Sequence, residues 1–124
     1  MPENQNNGAR IARQKVVMYR AVLITVVRDN NKIQGQDIQS RYFTSKSKAV
    51  DALRGYAEKR DEAVESYCRY GKGSRLDYFD LFVSLGVYEE SEGALLRTEQ
   101  HPFLDVMDGQ VTDYSEESPF QTLP

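Results

Sequence analysis

The longest apolar run of the chain is VVMYRAVLITVVR, at residues 16–28. Apolar side chains occupy both alternating sets of positions, which predicts a central β-strand covered on much of both faces. The run is too short to span a bilayer, because a spanning helix needs about 20 apolar residues. Asp29, Asn30 and Asn31 follow it, and these residue types favour a turn. We therefore predict a hairpin whose second strand covers residues 33–43.

A helical period replaces the strand pattern over residues 46–70. Apolar residues recur there at three- and four-residue steps, which predicts one long helix with a buried stripe. The members of the stripe are Ala49, Leu53, Tyr56, Ala57, Val64, Tyr67 and Cys68. We expect Ser45 or Ser47 to cap the first turn. Gly71 or Gly73 is expected to end the helix in the left-handed conformation.

A second hairpin is predicted after the helix. Residues 76–88 alternate between inward and outward positions, and the inward set is Phe79, Leu81, Val83, Leu85 and Val87. Residues 89–93 are expected to form the turn. Residues 94–106 then form a fourth strand that is broken at Pro102, and the proline indicates an edge strand or a strand end. The predicted fold class is α+β, in the order β-β-α-β-β. It is a four-stranded antiparallel sheet with one long helix packed on one face.

The ends of the chain are polar, and this sets the predicted domain organisation. The full length of 124 residues fits a single domain, which we place at residues 16–106. Residues 1–15 contain few apolar side chains and are predicted to be a flexible basic arm. Residues 107–124 are predicted to be an acidic tail with little regular structure. On this interpretation, residues 1–12 and 112–124 can be removed without unfolding the domain.

The charge of the chain is divided between its two parts. Residues 1–74 contain 14 Lys and Arg against 8 Asp and Glu, a net charge of +6. Residues 75–124 contain 2 against 11, a net charge of −9, and the whole chain carries −3. The two parts therefore either attract each other in the fold or contact different partners.

Few residues have the chemistry that catalysis or metal binding needs. Cys68 is the only cysteine and His101 the only histidine, too few for a site with sulfur and nitrogen ligands. We expect no cofactor, no bound metal and no enzymatic activity, with Cys68 as a buried thiol. An unusual catalytic site around Cys68 or His101 is the weakest of three hypotheses. A single free cysteine also favours a reducing compartment, so we expect a cytoplasmic location.

The leading hypothesis is a non-enzymatic protein-binding module. Tyr and Phe are enriched in the cores of protein interfaces, and the third strand has several on the side expected to face away from the helix. Acidic residues of the following turn are expected to steer a basic partner. The predicted partner-binding residues are Tyr78, Phe82, Tyr88, Glu89, Glu90 and Glu92, and Tyr42 belongs to the same aromatic set.

The overall character of the chain resembles small phage- or plasmid-encoded inhibitors, including anti-CRISPR proteins. That resemblance implies a larger protein or nucleoprotein complex as the partner. It also implies a viral protein acting in the host cytoplasm, if a phage encodes the chain. The sequence leaves the oligomeric state open, and no membrane association is expected.

The alternative hypothesis is a nucleic-acid-associated protein. It would contact the phosphate backbone through the basic arm and through the loop Gly71-Lys72-Gly73-Ser74-Arg75, which follows the predicted helix. The nucleic-acid-binding residues would be Arg10, Arg13, Lys15, Lys72 and Arg75.

Overall fold

A computed structural model describes residues 16–30, 32–71 and 77–121 of the chain. The strands are β1 (Val17–Asp29), β2 (Lys32–Phe43), β3 (Tyr78–Ser91), β4 (Ala94–Met107) and β5 (Gln110–Asp113). Their order across the sheet is β2-β1-β3-β4-β5, and all neighbouring strands are antiparallel. The α+β class and the two predicted hairpins are confirmed, whereas the predicted count of four strands is wrong.

The helical layer covers one face of the sheet and is bent. Helix α1 is Lys46–Ala57 and helix α2 is Arg60–Tyr70, so the predicted long helix is present over residues 46–70 but bends between the two. At the bend, the amide N–H groups of Glu58 and Lys59 donate to carbonyl oxygens three residues earlier. Gly55, in the last turn of α1, has a low helix propensity, and helices often bend near such residues.

The helical layer begins at a side-chain cap and ends at a glycine that is required for space. Ser45 is the cap of α1, because its side chain accepts a hydrogen bond from the amide N–H of Lys48. Gly71 ends α2, but its φ of −79° is not left-handed. A Cβ atom at Gly71 would collide with the ring of Tyr67, so space is what requires glycine there. No helix among the described residues is long and apolar enough to cross a membrane.

The hydrophobic core lies between the helices and β1, β3 and β4. Leu53 of α1 and Leu81 of β3 are fully buried in it, as the sequence predicts. Helix α2 contributes Ala63 to the core, with Val64 packed against it. Cys68 is exposed, so the predicted buried thiol is wrong. Tyr67, the residue of the predicted stripe before Cys68, is half-buried and its ring packs on Tyr78.

The chain after β4 belongs to the core, contrary to the predicted unstructured tail. Tyr114 follows β5 and packs against the core, and its amide N–H donates to the carbonyl oxygen of Phe103. The 3-10 helix Ser118–Phe120 then brings Phe120 into the core, where it is 1% exposed. The expectation of little regular structure after residue 106 is therefore wrong as far as Gln121. Residues 1–15 and 122–124 lie outside the described residues.

The turn between β3 and β4 is shorter than predicted. Glu89 and Glu90 are still part of β3, and only Glu92 and Gly93 form the turn, with φ of 53° and 84°. Two consecutive positive φ angles are typical of the two-residue turn that matches the twist of a hairpin. Strand β4 lies between β3 and β5, so the prediction that it is an edge strand or ends at Pro102 is wrong. Pro102 itself lies outside the four-residue segment of β4 that β5 pairs with.

Candidate protein-binding surface

The sheet has an open face on the side opposite the helices. We define the open face by the even-numbered residues 20–26 of β1 and 82–90 of β3 and their cross-strand neighbours, because the odd-numbered residues of these strands face the core. Tyr78 and Asp80, at the far end of β3, are buried and do not belong to it. Both helices, Tyr114 and Phe120 pack on the core side. The described residues therefore cover β1 on one face only, whereas its sequence predicted cover on much of both.

The centre of the open face is apolar. It consists of Val22, Ile24, Val26, Ile38 and Phe82. Ile38 is 53% exposed, whereas Val22 is buried and the other three are half-buried. The outer face of a two-layer antiparallel domain is normally polar. The alternating apolar sets of β1 thus have different roles, since one set forms the core and the other forms a surface.

Arg20 lies beside this apolar centre, between two tyrosines. Its guanidinium carbon is 5.5 Å from the centroid of the Tyr42 ring. The rings of Tyr42 and Tyr88 meet edge to face, with centroids 5.6 Å apart. Arg20 donates hydrogen bonds to Ser40 Oγ at 3.0 Å and to the Tyr88 hydroxyl at 3.5 Å. We call these four residues the Arg20 cluster.

Within the described part of the chain, the guanidinium of Arg20 has only neutral hydrogen-bond and ring partners. The hydrogen bond to Tyr88 raises the pKa of Arg20 above its usual value, although burial acts in the opposite direction. Among the described residues, no carboxylate forms an ion pair with this guanidinium. Gly86 makes room for the cluster, because a Cβ atom there would lie 2.9 Å from Tyr88 Cε1. An oriented guanidinium with neutral neighbours is suited to bind a carboxylate from outside.

The predicted aromatic contacts are only partly on this surface. Phe82 and Tyr88 are half-buried on the open face. Tyr78 is 1% exposed, so the expectation that it faces outward is wrong. Its ring packs edge to face on Tyr67 with centroids 5.1 Å apart, and its hydroxyl donates to Asp108. Tyr78 is therefore a packing residue at the end of the sheet.

The three predicted acidic contacts point in different directions. Glu90 is exposed and belongs to the open-face set of β3, and Glu92 is exposed in the turn. Glu89 is half-buried and belongs to the set that faces the core. The structure does not bring them together as one acidic surface, and their role in binding stays a prediction.

Sequence reasoning missed Arg20 and Ile38. A signal for Arg20 was present, since it is the only charged residue between Val16 and Val27. A charge inside an apolar strand needs compensating hydrogen bonds, which makes it a candidate for a specific role. No comparable signal exists for Ile38, because its importance depends on lying beside Ile24 across the strand pair.

The remaining predicted residues form two sets. The basic residues of the nucleic-acid hypothesis lie outside the described residues, and they are Arg10, Arg13, Lys15, Lys72 and Arg75. His101 is half-buried on the core side, with Nε2 hydrogen-bonded to Glu99 at 2.8 Å. It borders an open cavity of about 420 Å³ that Tyr19 and Lys46 also line. No hydrogen bond within the described residues joins His101 to Cys68.

A buried ion pair stabilises one end of the sheet. Arg28 Nη1 donates to Asp80 Oδ2 at 2.8 Å, and Asp80 is 2% exposed. The other oxygen of Asp80 accepts the amide N–H of Asp108 at 3.0 Å. The hydrogen bond to Asp80 raises the pKa of Arg28. These contacts join β1, β3 and the turn after β4, so the pair has a structural role.

Asp105 borders the apolar centre opposite Phe82, and its burial raises the pKa of its carboxyl group. A raised folded-state pKa means that ionised Asp105 destabilises the fold at neutral pH. This cost disappears below the unfolded-state pKa of about 3.9. We expect Asp105→Asn to raise the urea midpoint at pH 7 and to leave it unchanged near pH 3. An equal gain at both pH values would contradict a charge effect.

Comparison with known proteins finds no family model, no curated protein and no solved structure that matches the chain. The chain is thus described by its architecture, a five-stranded antiparallel sheet with a bent helix on one face. The open face and the Arg20 cluster are the features from which a function can be inferred.

Proposed function

We propose that the protein is a non-enzymatic binding module that attaches to a larger protein or nucleoprotein complex through its open face. The observation that supports this is the apolar centre around Ile24, Ile38 and Phe82, which the two described helices leave uncovered. Contiguous apolar surface surrounded by polar residues is typical of interaction sites. Burying it contributes about 25 cal/mol per Å² of apolar area removed from water.

The Arg20 cluster would be the anchor of this interface. Tyr and Arg are enriched among the few residues that contribute most of the binding energy. Arg20 is already oriented by Ser40, Tyr42 and Tyr88, so little side-chain entropy is lost on binding. We expect the partner to present a carboxylate to Arg20 and an apolar side chain beside Phe82.

The charge of the open face favours a protein partner over a nucleic acid. Binding to nucleic acid requires basic residues that neutralise several phosphates. Apart from the internal ion pair of Arg28, the described open face carries Arg20 and Arg97 together with Glu90 and Asp105. Acting as an inhibitor, the module would cover a surface that its target needs. The cytoplasmic location and the phage origin remain part of this proposal.

Arg20→Gln and Phe82→Ala are expected to abolish the capture of a specific partner by the immobilised full-length chain. Cys68→Ser and His101→Ala serve as matched controls, because both side chains lie away from the open face. With the captured protein purified, calorimetry should show that Phe82→Ala weakens binding by about 2 kcal/mol, roughly 30-fold. Circular dichroism confirms that each variant is folded.

Two outcomes would contradict this proposal. One is that both open-face variants bind the partner as the unchanged chain does, while a control variant loses it, which would favour a catalytic or other site. The second is that a nuclease-treated extract yields no partner and the chain binds single-stranded nucleic acid with a steep salt dependence. The second outcome would support the nucleic-acid hypothesis.

A further inference from the structure

Strand β2 forms a long open edge of the sheet. It has 12 residues and pairs only with β1 among the described strands, whereas β5, at the opposite end of the strand order, has four. An open edge presents unpaired backbone N–H and C=O groups that can pair with another strand. Proteins often protect such edges with Pro, Lys or a bulge. The irregularity of β2 is confined to its start, and residues 35–43 pair regularly with β1 and contain no Pro or Lys.

This regular segment carries two opposite charges without ion-pair partners among the described residues. Asp37 and Arg41 are exposed and lie on the same side of β2, two residues before and after Gln39. Asp37 accepts only a 3.4 Å hydrogen bond from the side chain of Gln39. The guanidinium carbon of Arg41 is 5.0 Å from the centroid of the Phe43 ring. If a second β2 strand lies alongside in the opposite direction, with the two Gln39 residues facing each other, each charge therefore lies opposite a charge of the other sign.

We propose that β2 pairs antiparallel with β2 of a second copy of this chain, about a two-fold axis at Gln39. In this register, Asp37 of each copy lies opposite Arg41 of the other, so two ion pairs form. Phe43 lies opposite Gly35 of the second copy. A Cβ atom at Gly35 would have no neighbour within 4 Å, which leaves space for the ring. Aromatic side chains across from an edge glycine are a known stabilising arrangement in sheets.

The charges distinguish this register from its neighbours. An axis at Asp37 would place the two Asp37 carboxylates opposite each other, which is unfavourable. An axis at Ile38 would place Asp37 opposite Gln39 and Arg41 opposite Gly35, so both charges would remain without partners. Only the axis at Gln39 pairs each charge with its opposite in both copies.

The pairing has a consequence for the open face. A two-fold axis at this edge runs perpendicular to the sheet, so both helical layers lie on one side and both open faces on the other. Two five-stranded sheets would become one continuous sheet with two Arg20 clusters on a single surface. This inference does not depend on the proposed function. If both hold, a partner with two binding sites would bind the dimer more tightly than the single chain.

Sedimentation equilibrium of the full-length chain tests the pairing, with an expected mass of twice 14.2 kDa. Asp37→Arg and Arg41→Asp should each weaken association about tenfold or more, because each change places like charges opposite each other twice. An equimolar mixture of the two variants should associate again, because the facing charges are then opposite. The double variant D37R/R41D should also recover. Asp51→Arg on α1 is the matched control and should have no effect.

A chain that stays at 14.2 kDa up to about 1 mM would overturn the inference. A dimer that both single variants leave unchanged would overturn it as well, because the contact would then lie elsewhere. Both side chains are exposed, so thermal unfolding of the variants should match that of the unchanged chain at concentrations low enough for all of them to be monomeric. Phe82→Ala should leave the dimer intact, which separates a failure of this inference from a failure of the proposed function.

Discussion

Replacing Phe120 with alanine is expected to lower the free energy of unfolding by about 3–5 kcal/mol. The side chain is 1% exposed and belongs to the core cluster. Its ring meets that of Phe103 edge to face, with centroids 4.9 Å apart, and lies 6.4 Å from the ring of His101. Removing it leaves a cavity below the helices that the surrounding side chains can only partly fill. Urea denaturation followed by circular dichroism measures the change, as a lower midpoint with an unchanged slope.

Tyr42→Ala is the control for this prediction, because it removes an aromatic ring that is 48% exposed and should cost far less. Deleting residues 114–124 is expected to be more damaging than Phe120→Ala, since Tyr114 is lost as well and the core is uncovered. The composition of the segment predicts the opposite, that this end can be removed. A deletion variant that unfolds like the full-length chain would therefore restore the acidic-tail interpretation.

Asp80→Ala is expected to lower the free energy of unfolding by about 3 kcal/mol. The substitution removes the carboxylate 2.8 Å from Arg28 and the acceptor of the Asp108 amide N–H. Arg28, whose side chain is 18% exposed, keeps the longer contact to Asp108 at 3.6 Å. A largely buried charge that loses its nearest partner costs more than the pair contributes. Thermal and urea unfolding at pH 7 give the magnitude.

A double variant sharpens this prediction. Combining Asp80→Ala with Arg28→Met should cost less than Asp80→Ala alone, because the guanidinium that has lost its nearest carboxylate is then removed as well. Asp51 and Arg54 form an exposed ion pair at 3.1 Å on α1, and Asp51→Ala should change stability by less than about 0.5 kcal/mol. Equal effects of Asp80→Ala and Asp51→Ala would mean that burial of the Arg28 pair is unimportant.

Local sequence patterns were sufficient to predict the first four strands and the helical region. Alternation predicts the inward set of β3, and side-chain acceptors at the start of the helical period predict a cap at Ser45 or Ser47, of which the structure has Ser45. Strand alternation and a helix cap each depend on residues only a few positions apart in the sequence, so both can be predicted without knowing the rest of the fold.

Segments without a period could not be predicted in the same way. Phe120 is a single aromatic residue after acidic ones, and nothing in its surroundings along the chain indicates burial. Its position depends on Phe103, which is distant in sequence. The predicted exposure of Tyr78 is wrong for a related reason. Strand alternation gives the side of the sheet on which Tyr78 lies, but it cannot show that the ring of Tyr67 packs against it.

The sequence by itself determined that β1 is apolar on both sides and that a helix follows the first hairpin. Only the tertiary structure decided which side of β1 the helices cover, and so which apolar set became the open face. It also decided that β2 is an edge, which brings Asp37 and Arg41 to the surface of the sheet, and that Tyr42 and Tyr88 meet around Arg20. The physical reason is that strand order and side-chain clusters join residues far apart along the chain, whereas periodicity reports only on neighbours.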